Sequence, residues 1–298
     1  MQNGMNWSRR GVMLASGAAL ALSACGPKAQ PAAKAEGATP GPTPGTLEWA
    51  IAGDWRSPAD RVRDAFRHPL EALTFFGIAP GQTVVELWPG VGWYTDILAP
   101  YLTATKGKLV CANFELPNPD DPAAGPVVDA FKKRLAGRSD LFGAVEHTAF
   151  GSHTGALCPP GTADRVLFLR NIHNWMAAGI AEKAFRDALA ALKPGGILGI
   201  EEHRAGPGGA QDALATSGYV QQDYVKQLAK EAGFAFDKAS DINANSKDTR
   251  NHPFGVWTLP PTRRSSPRGS PPNPLFDHKK YDAVGESDRM TLRFVKPK

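Results

Sequence analysis

The stretch Thr83-Val-Val-Glu-Leu-Trp-Pro-Gly-Val-Gly-Trp-Tyr94 decides the fold of this chain. Residues 83–87 form a short apolar run, which is typical of an inner parallel strand, and residues 94–102 have a helical pattern. Between them, Gly90 and Gly92 let the backbone turn sharply and let a ligand approach without a Cβ in the way. Ligands of open α/β sheets bind outside the carboxyl ends of the strands, so we predict a ligand site at this turn.

Strands and helices alternate along the rest of the chain, which predicts an α/β fold with a mostly parallel sheet. Further strands are expected at 108–112, 144–150, 164–169, 197–200, 234–236 and 289–295, and helices between them at 94–102, 127–135, 181–192 and 219–232. The last strand is expected to run antiparallel and to complete the sheet. Helices over 59–67 and 70–76 are expected to cap the sheet at its N-terminal side. Residues 241–287 are expected to form a long loop excursion, either a lid or a partly disordered segment.

Composition limits the class of protein. The chain has 298 residues, of which 42% are hydrophobic, and a formal net charge of +5. That length and apolar content suit one domain, here 47–298, with appendages. Basic residues occur along the whole chain and cluster mostly at the ends and in one late loop, so we expect no nucleic-acid partner.

The first 25 residues have the pattern of a secretory signal. A positive Ser8-Arg9-Arg10 precedes an apolar segment that is too short to span a membrane. The Ser-Arg-Arg-Gly-Val-Met sequence resembles the twin-arginine export pattern, and Leu22-Ser23-Ala24-Cys25 resembles a bacterial lipobox. That resemblance implies lipidation of Cys25 and a place on the periplasmic face of a membrane. The alternative is that Cys25 is only a small residue near a cleavage site. Residues 26–46 have the composition of a disordered tether.

Two further cysteines would share that oxidising compartment. Cys111 lies in the second predicted strand and Cys158 in the loop before the fourth. In the expected strand order another strand separates them, which puts them roughly 9–10 Å apart and beyond the reach of a disulfide. We predict two free, shielded thiols.

The acidic strand end followed by Pro-Gly-x-Gly resembles the first motif of class I S-adenosylmethionine-dependent methyltransferases. The full G-x-G-x-x-G fingerprint is absent, and Pro89 cannot donate a backbone hydrogen bond, which suits a ligand with few phosphates or none. The resemblance implies a Rossmann-like sheet and S-adenosylmethionine as cofactor. It implies contacts between the cofactor and Glu86, Trp88, Gly90, Gly92, Tyr94, Asn113, Glu115 and Arg170.

The match to that family has two departures. Family members usually carry an acidic residue at the end of the second strand, where it binds the ribose hydroxyls. Here that position holds Asn113, with Glu115 two residues later. Family members often place an acidic or amide residue after the third strand, near the adenine. Here Gly151-Ser152-His153 follows, so the adenine contact is left unassigned.

A narrower resemblance rests on four segments and on the turn into the fifth strand. The Leu-Lys-Pro-Gly-Gly sequence at 192–196 strongly resembles the methyltransferase step into that strand. The four segments look like a family of bacterial predicted methyltransferases, many of them exported. They are His68-Pro69, Trp88-Pro-Gly-Val-Gly-Trp-Tyr94, Arg170-Asn-Ile-His-Asn-Trp175 and Asn251-His-Pro-Phe-Gly-Val-Trp257. This resemblance implies a fold and a cofactor class rather than a substrate.

The segment 170–175 directly follows the fourth strand, whose end faces the transferred methyl group in this topology. His173 is either a packed structural histidine or a general base for a substrate hydroxyl or amine, since an ordinary histidine pKa suits that work. Asn171 and Asn174 are candidates for positioning the substrate. Residues expected to contact the substrate are Trp175, Glu202, His203 and His252.

Three functions stay open on the sequence. The first is a methyltransferase acting on a small-molecule or envelope substrate. The second is a catalytically inactive binding lipoprotein that keeps the fold, which the two departures favour. The third is a metal-assisted enzyme that uses His173 with Glu201, Glu202 or His203, although no tight ligand motif is present and no residue is assigned as a metal ligand. The sequence leaves the methyl acceptor and the oligomeric state open.

Overall fold

A seven-stranded sheet organises the part of the chain that the computed structural model describes, residues 41–117 and 124–298. The strand order is β3-β2-β1-β4-β5-β7-β6. The strands are β1 (Thr83–Leu87), β2 (Lys108–Phe114), β3 (Glu146–Phe150), β4 (Ala163–Leu169), β5 (Leu192–His203), β6 (Ala235–Ser240) and β7 (Arg289–Val295). Strands β1 to β5 pair in parallel, and β7 lies antiparallel between β5 and β6. The predicted Rossmann-like sheet, with its last strand antiparallel, is confirmed.

Helices connect the strands and cap the sheet. The N-terminal cap consists of α1 (Leu47–Ala52), α2 (Pro58–Val62), α3 (Asp64–Arg67) and α4 (Pro69–Phe75). The helix expected over 59–67 is therefore two short helices that meet at Arg63. The later helices are α5 (Thr95–Ala104), α6 (Ala124–Ala136), α7 (Ser139–Phe142), α8 (Ile172–Ala177), α9 (Ala181–Ala191), α10 (Gln222–Ala232) and α11 (Lys279–Asp282). None of the helices described here has the length and apolar character that a membrane span requires.

Two apolar layers cover the two faces of the sheet. Successive side chains of a strand point to opposite faces, so Val84 joins one layer and Val85 the other. Cys111 lies in the first of these layers and Cys158 in the second. Both are free and buried, as predicted.

Strand β5 extends well beyond the expected 197–200. Leu192 already pairs with Ala163, and the register then shifts so that Ile197 pairs with Arg165. The Lys-Pro-Gly-Gly segment lies inside that irregularity, where the chain can hold a proline without losing a ladder bond. At the other end β5 continues to His203, because β7 supplies pairing partners as far as Arg289.

The segment 241–287 packs against the carboxyl edge of the sheet. It contains a short 3₁₀ helix, Gly255–Thr258, and α11. Asp248 accepts hydrogen bonds from the Tyr219 hydroxyl (3.0 Å) and from the backbone N–H of Asp288 (2.8 Å). Arg250 donates to the Asp288 carboxylate at 2.6 Å. These buried polar contacts hold the segment next to the ends of β5 and β7.

Candidate active site at the carboxyl edge of the sheet

The ends of three strands and the start of a fourth meet at one edge. Strands β1, β4 and β5 end there, and antiparallel β7 begins there, with Arg289 paired to His203. Polar residues that precede β7 are consequently brought beside polar residues that follow β4. The residues just before β7 were not predicted to belong to this site. The predicted antiparallel direction of the last strand could have pointed to them, because such a strand begins at the edge where its parallel neighbours end.

A buried histidine–carboxylate pair occupies the centre of this edge. The Nδ1 atom of His173 lies 2.9 Å from Oε1 of Glu202. The same carboxylate accepts the backbone N–H of Ile172 at 2.6 Å and that of His203 at 2.8 Å. A carboxylate only accepts hydrogen bonds, so this contact requires a proton on Nδ1 of His173, and in the neutral ring of that tautomer Nε2 is an acceptor. This is the orientation that a general base requires.

A second histidine stands next to that pair. The rings of His173 and His203 have their centroids 5.2 Å apart, and Nδ1 of His203 lies 2.6 Å from the Ser287 hydroxyl. Burial lowers the pKa of His203 well below its usual value, and the neighbouring His173 and Arg289 act in the same direction. His203 is therefore neutral near pH 7. Potential ligand atoms of His173, Glu202 and His203 all lie within 4.8 Å of one another.

Glu201 anchors a second buried network on the opposite face of β5. Its carboxylate accepts from the Tyr94 hydroxyl at 2.7 Å and from Nη1 of Arg170 at 3.0 Å, and Nε of Arg289 lies 2.8 Å away. Burial, together with the Glu201 charge, raises the pKa of Tyr94 well above its usual value, so Tyr94 stays protonated. Tyr94 and Arg170, which were predicted to contact the cofactor, already have partners inside the protein.

A third group surrounds Glu286 and joins the N-terminal cap to the site. Nε of Arg67 donates to Glu286 at 2.8 Å, Nε of Arg63 at 3.0 Å and Nη1 of Arg289 at 2.9 Å. Arg67 is almost fully buried, although arginine is usually a surface residue. No local pattern marks Arg67, because its partner Glu286 is 219 residues away in the sequence.

These networks line a cavity of about 290 Å³, which we call the histidine–arginine cavity. Its walls include Arg63, Arg67, Arg170, His173, His203 and Trp257. Asn174, predicted to position the substrate, also lines it. The Trp257 ring lies 5.9 Å from the His173 ring, so the 241–287 segment forms one wall of the cavity. Its volume lies near the lower end for small-molecule sites.

The glycine turn after β1 has open space beside Gly90 but not beside Gly92. Gly90 has a φ of +61°, and a Cβ added there would meet nothing within 4 Å. At Gly92, with a φ of +93°, a Cβ would come within 2.6 Å of Arg134 and 2.7 Å of Phe131, so packing against α6 accounts for that glycine. Asn171, predicted to be catalytic, donates its side-chain N–H to the backbone oxygens of Leu87 and Trp88 at 3.2 and 3.1 Å. It joins the ends of β4 and β1.

Trp88 stands beside this turn and lies across the ends of β2 and β3. It has a left-handed φ of +50°, and its indole N–H donates to the Phe150 oxygen at 2.8 Å. Its ring packs against Phe114 and Trp175 at 4.9 and 5.9 Å between centroids. Trp175 was expected to contact the substrate. It is instead fully buried in this aromatic cluster, because the residue that follows β4 by six positions turns into the core.

Two other predicted cofactor contacts are also buried. Glu86 accepts a hydrogen bond from Thr95 at 2.7 Å, and burial raises its pKa to about 7. Asn113 donates its amide to the Cys111 oxygen at 2.9 Å and is almost fully buried. Both side chains are therefore held by hydrogen bonds inside the protein.

Glu115 lies on a second cleft, of about 450 Å³, past the end of β2. Trp88, Leu116, Phe150, His153 and Ile180 line this cleft with it. One Glu115 oxygen accepts the backbone N–H of His153 at 3.2 Å. We call this the aromatic cleft, because it combines a carboxylate with apolar and aromatic walls.

His252 does not line the histidine–arginine cavity. Its Nε2 lies 2.8 Å from Asp248 Oδ1, within the contacts that hold the 241–287 segment. It faces a separate cavity with Phe254 and Trp257. Its predicted role in substrate contact therefore has no support from its position. Cys25 lies outside the described residues.

Comparisons with known proteins bear on the fold. No protein-family model and no curated protein sequence matches the chain. Among solved structures, the [4+2]-cyclase SpnF is 15% identical, with a TM-score of 0.50 and 83% of each chain covered. Phosphoethanolamine N-methyltransferase 2 from Haemonchus contortus, solved with phosphomonomethylethanolamine and S-adenosylhomocysteine, is 16% identical, with a TM-score of 0.50, over 85% of this chain and 56% of that one. A putative methyltransferase from Bacillus halodurans C-125 is 12% identical, with a TM-score of 0.50, over 78% and 100%.

The strand order and these comparisons define the class: this chain has the Rossmann-like fold of S-adenosylmethionine-dependent methyltransferases. The same fold is seen in a structure described as a cyclase, so the fold by itself does not specify methyl transfer. The site has to carry the functional argument.

Proposed function

We propose that this chain is a methyltransferase that binds S-adenosylmethionine along the carboxyl edge of the sheet and methylates a small-molecule or envelope acceptor. The observation that carries the proposal is the buried His173–Glu202 pair at the end of β4, with Nε2 of His173 left to accept a proton. Likeness of fold to solved methyltransferases supports the class of reaction. The acceptor would occupy the histidine–arginine cavity, which His173 lines.

The aromatic cleft and the open glycine suit the cofactor. The Glu115 carboxylate can accept hydrogen bonds from ribose hydroxyls, and Leu116 and Phe150 offer apolar contact for a base. Gly90 leaves the turn between this cleft and β4 free of side chain. Asn113 is buried, so Glu115 rather than Asn113 would bind the ribose. When bound, the cofactor supplies a methyl group on a positively charged sulfur.

The protein's own contribution is a base, its orientation and a confined cavity. Nε2 of His173 takes a proton from the acceptor hydroxyl or amine, and Glu202 holds the Nδ1 proton and stabilises the imidazolium that forms. Asn174 lines the same cavity and can donate to or accept from the acceptor. Base catalysis of this kind contributes roughly 10²–10⁴-fold, and holding the two reactants together contributes further.

Calorimetric titration with S-adenosylhomocysteine tests the cofactor part. We expect micromolar binding that is abolished by Gly90→Arg, which fills the open side of the turn. Gly161→Arg is the matched control. Gly161 also has a left-handed φ (+68°) and open space around it, but it precedes β4 and so lies at the opposite edge of the sheet. Absence of heat at millimolar ligand would exclude the methyltransferase and leave the binding lipoprotein, which Asn113 and the lack of an acidic residue after β3 favour.

A labelling experiment tests the role of His173. Purified protein is incubated with methyl-labelled S-adenosylmethionine and a bacterial envelope extract, and label transfer is measured. We expect His173→Asn to lower transfer roughly 10²-fold or more while affinity for S-adenosylhomocysteine is retained. Equal transfer by both proteins would contradict the role of His173 as a base.

A metal-assisted enzyme is the second candidate, and one observation favours it. His173, Glu202 and His203 place nitrogen and oxygen atoms within 4.8 Å of one another, and such ligands suit Zn²⁺ and similar ions. Elemental analysis of protein purified without chelator should then show about one metal per chain. His203→Ala should remove it and His252→Ala, which changes another buried, carboxylate-bonded histidine, should not. Less than about one tenth of an equivalent in the unaltered protein would exclude this candidate.

We also propose that the protein is exported and anchored through a lipid on Cys25. The support is sequence alone: the twin arginines, the apolar segment and the Leu-Ser-Ala-Cys ending. Cells fed labelled palmitate should incorporate it into the unaltered chain and into Cys158→Ser, but not into Cys25→Ser. Label in Cys25→Ser would contradict the anchor.

A further inference from the structure

Arg67 is a buried cation whose hydrogen-bonding capacity is only partly used. It is 3% exposed, and its Nε donates to both oxygens of Glu286, at 3.1 and 2.8 Å. Its guanidinium lies over the Trp93 ring, with Cζ 4.7 Å from the centroid. Within the described residues, no acceptor contacts its Nη1 or Nη2, and the residue lines the histidine–arginine cavity. Four N–H donors of this buried guanidinium thus have no partner among residues 41–117 and 124–298.

Arg170 adds donors to the same cavity. Its Nη1 donates to Glu201 at 3.0 Å, and the described part of the chain offers no acceptor to its Nε or Nη2. Arg170 directly follows β4 and has a left-handed φ of +61°, a backbone conformation that arginine rarely adopts. This conformation sets the direction in which the chain leaves the strand, and with it the place of the guanidinium.

The carboxylate that lines the cavity, Glu286, and the neighbouring carboxylate of Glu201 already accept several hydrogen bonds. Glu286 receives N–H groups from Arg63, Arg67 and Arg289. Glu201 receives the Tyr94 hydroxyl and contacts two guanidinium groups. The surplus of hydrogen-bonding groups in the cavity is therefore on the donor side, and its donors belong to groups that stay charged at every physiological pH.

We propose that the histidine–arginine cavity binds an oxyanion of the acceptor substrate, a carboxylate or a phosphate, through the free N–H groups of Arg67 and Arg170. The guanidinium fork matches two oxygens of either group, and charge assistance strengthens both bonds. The 290 Å³ volume limits the acceptor to a small molecule. The inference rests on the proposed function in one respect: the acceptor's nucleophilic hydroxyl or amine would face His173 in the same cavity.

The rival source of the oxyanion is the cofactor itself, since S-adenosylmethionine carries a carboxylate. The proposal assigns the arginines to the acceptor, so cofactor and acceptor anion should occupy separate places. This difference can be measured without knowing the acceptor.

The test uses the purified full chain, without cofactor, in low-salt buffer. Propionate, methyl phosphate and the neutral propionamide are titrated separately by calorimetry. We expect at least one of the two anions to bind roughly tenfold or more tighter than propionamide, because only an anion gains charge-assisted bonds from the guanidinium groups. The preferred anion identifies the acceptor group as carboxylate or phosphate. Equal affinities for all three probes would overturn the proposal.

Variants locate the binding. Arg67→Gln should reduce affinity for the preferred anion roughly tenfold or more, and Arg67→Lys should reduce it less, because the charge remains while the fork is lost. The matched control is Arg61→Gln, an exposed arginine on the neighbouring helix that does not line the cavity. Anion binding that survives Arg67→Gln unchanged would overturn the proposal. If Arg67→Gln does not fold, Arg170→Gln provides the same test from the β4 side of the cavity.

A competition titration separates this inference from the proposed methyl transfer. With S-adenosylhomocysteine bound, affinity for the preferred anion should be unchanged. Competition between them would overturn the proposal, because the arginines would then hold the cofactor's carboxylate. Anion binding in a protein that takes up no S-adenosylhomocysteine would support the oxyanion site while the proposed methyl transfer fails.

Discussion

Glu86 gives the sharpest quantitative prediction. It lies at the end of β1, is 2% exposed and has one side-chain hydrogen bond, from Thr95. Burial raises its pKa from 4.5 to about 7 in the folded protein, against the opposing effect of the Thr95 bond. The folded state therefore holds a proton on Glu86 at pH values where the unfolded chain has released it.

The sign of the effect on stability follows from proton linkage. A raised carboxyl pKa means that the folded state binds more protons than the unfolded state between the two pKa values, so stability falls as pH rises through that window. With values of 4.5 and about 7, the loss between about pH 5 and about pH 8.5 comes to roughly 2–3 kcal/mol. Glu86→Gln removes the titrating group and keeps an oxygen that can accept from Thr95.

Urea unfolding at several pH values measures the effect. The variant should match the unaltered protein within about 1 kcal/mol near pH 5 and become more stable than it by roughly 2–3 kcal/mol toward about pH 8.5. Glu146→Gln, at the exposed start of β3, is the control and should track the unaltered protein at every pH. A difference between Glu86→Gln and the unaltered protein that stays constant with pH would refute this reasoning, because the buried carboxyl would then be ionised throughout.

Three further outcomes are expected. Trp175→Ala should lower the free energy of unfolding, measured with urea, by roughly 3–5 kcal/mol, because the indole is fully buried. A loss of less than about 1 kcal/mol would contradict the place of Trp175 in the core. Glu201→Gln should cost roughly 3–5 kcal/mol by the same assay, since it removes the only carboxylate that pairs with Arg170 in the described residues and one of the two that pair with buried Arg289, and a neutral effect would mean that water or Glu286 satisfies those cations. In a Cys25→Ser protein, a thiol reagent should titrate neither Cys111 nor Cys158 before unfolding and both afterwards, because burial shields the two thiols and raises the Cys111 pKa well above its usual value. Rapid reaction in the native state would show that one of them is exposed.

The sequence did not predict which way several of the site residues point, because that direction depends on packing against other parts of the chain. Glu86, Asn113 and Trp175 were predicted from their places at or just after strand ends. Trp175 does follow β4, whereas Glu86 and Asn113 lie within the last residues of β1 and β2. Which way each side chain turns depends on its neighbours: Asn113 reaches the Cys111 oxygen, and Trp175 enters the aromatic cluster around Trp88. A strand end specifies an edge of the sheet, but packing specifies the direction of the side chain.

His173 shows the opposite case. Its position after a buried apolar strand was enough to suggest a role in chemistry, and the structure places it beside a carboxylate from the next strand. Glu202 and His203 were also predicted to lie at this edge, since they end a recognisable strand. Their function as partners of His173 required the β4–β5 pairing, which sets Leu169 opposite Glu201.

The sequence alone determined the α/β class, the glycine turn after β1 and the polar ends of β4 and β5. Each of these depends on residues within a few positions of one another, through side-chain alternation, helical periodicity and the conformational freedom of glycine. Only the tertiary structure decided which cations meet those strand ends. Arg67 and Glu286 are 219 residues apart in the chain, and they contact because antiparallel β7 begins where β5 ends while the N-terminal cap packs over both. Contacts between residues that are far apart in the chain leave no local sequence pattern. The contact between Arg67 and Glu286 is of this kind, and such contacts form the charged part of the candidate site.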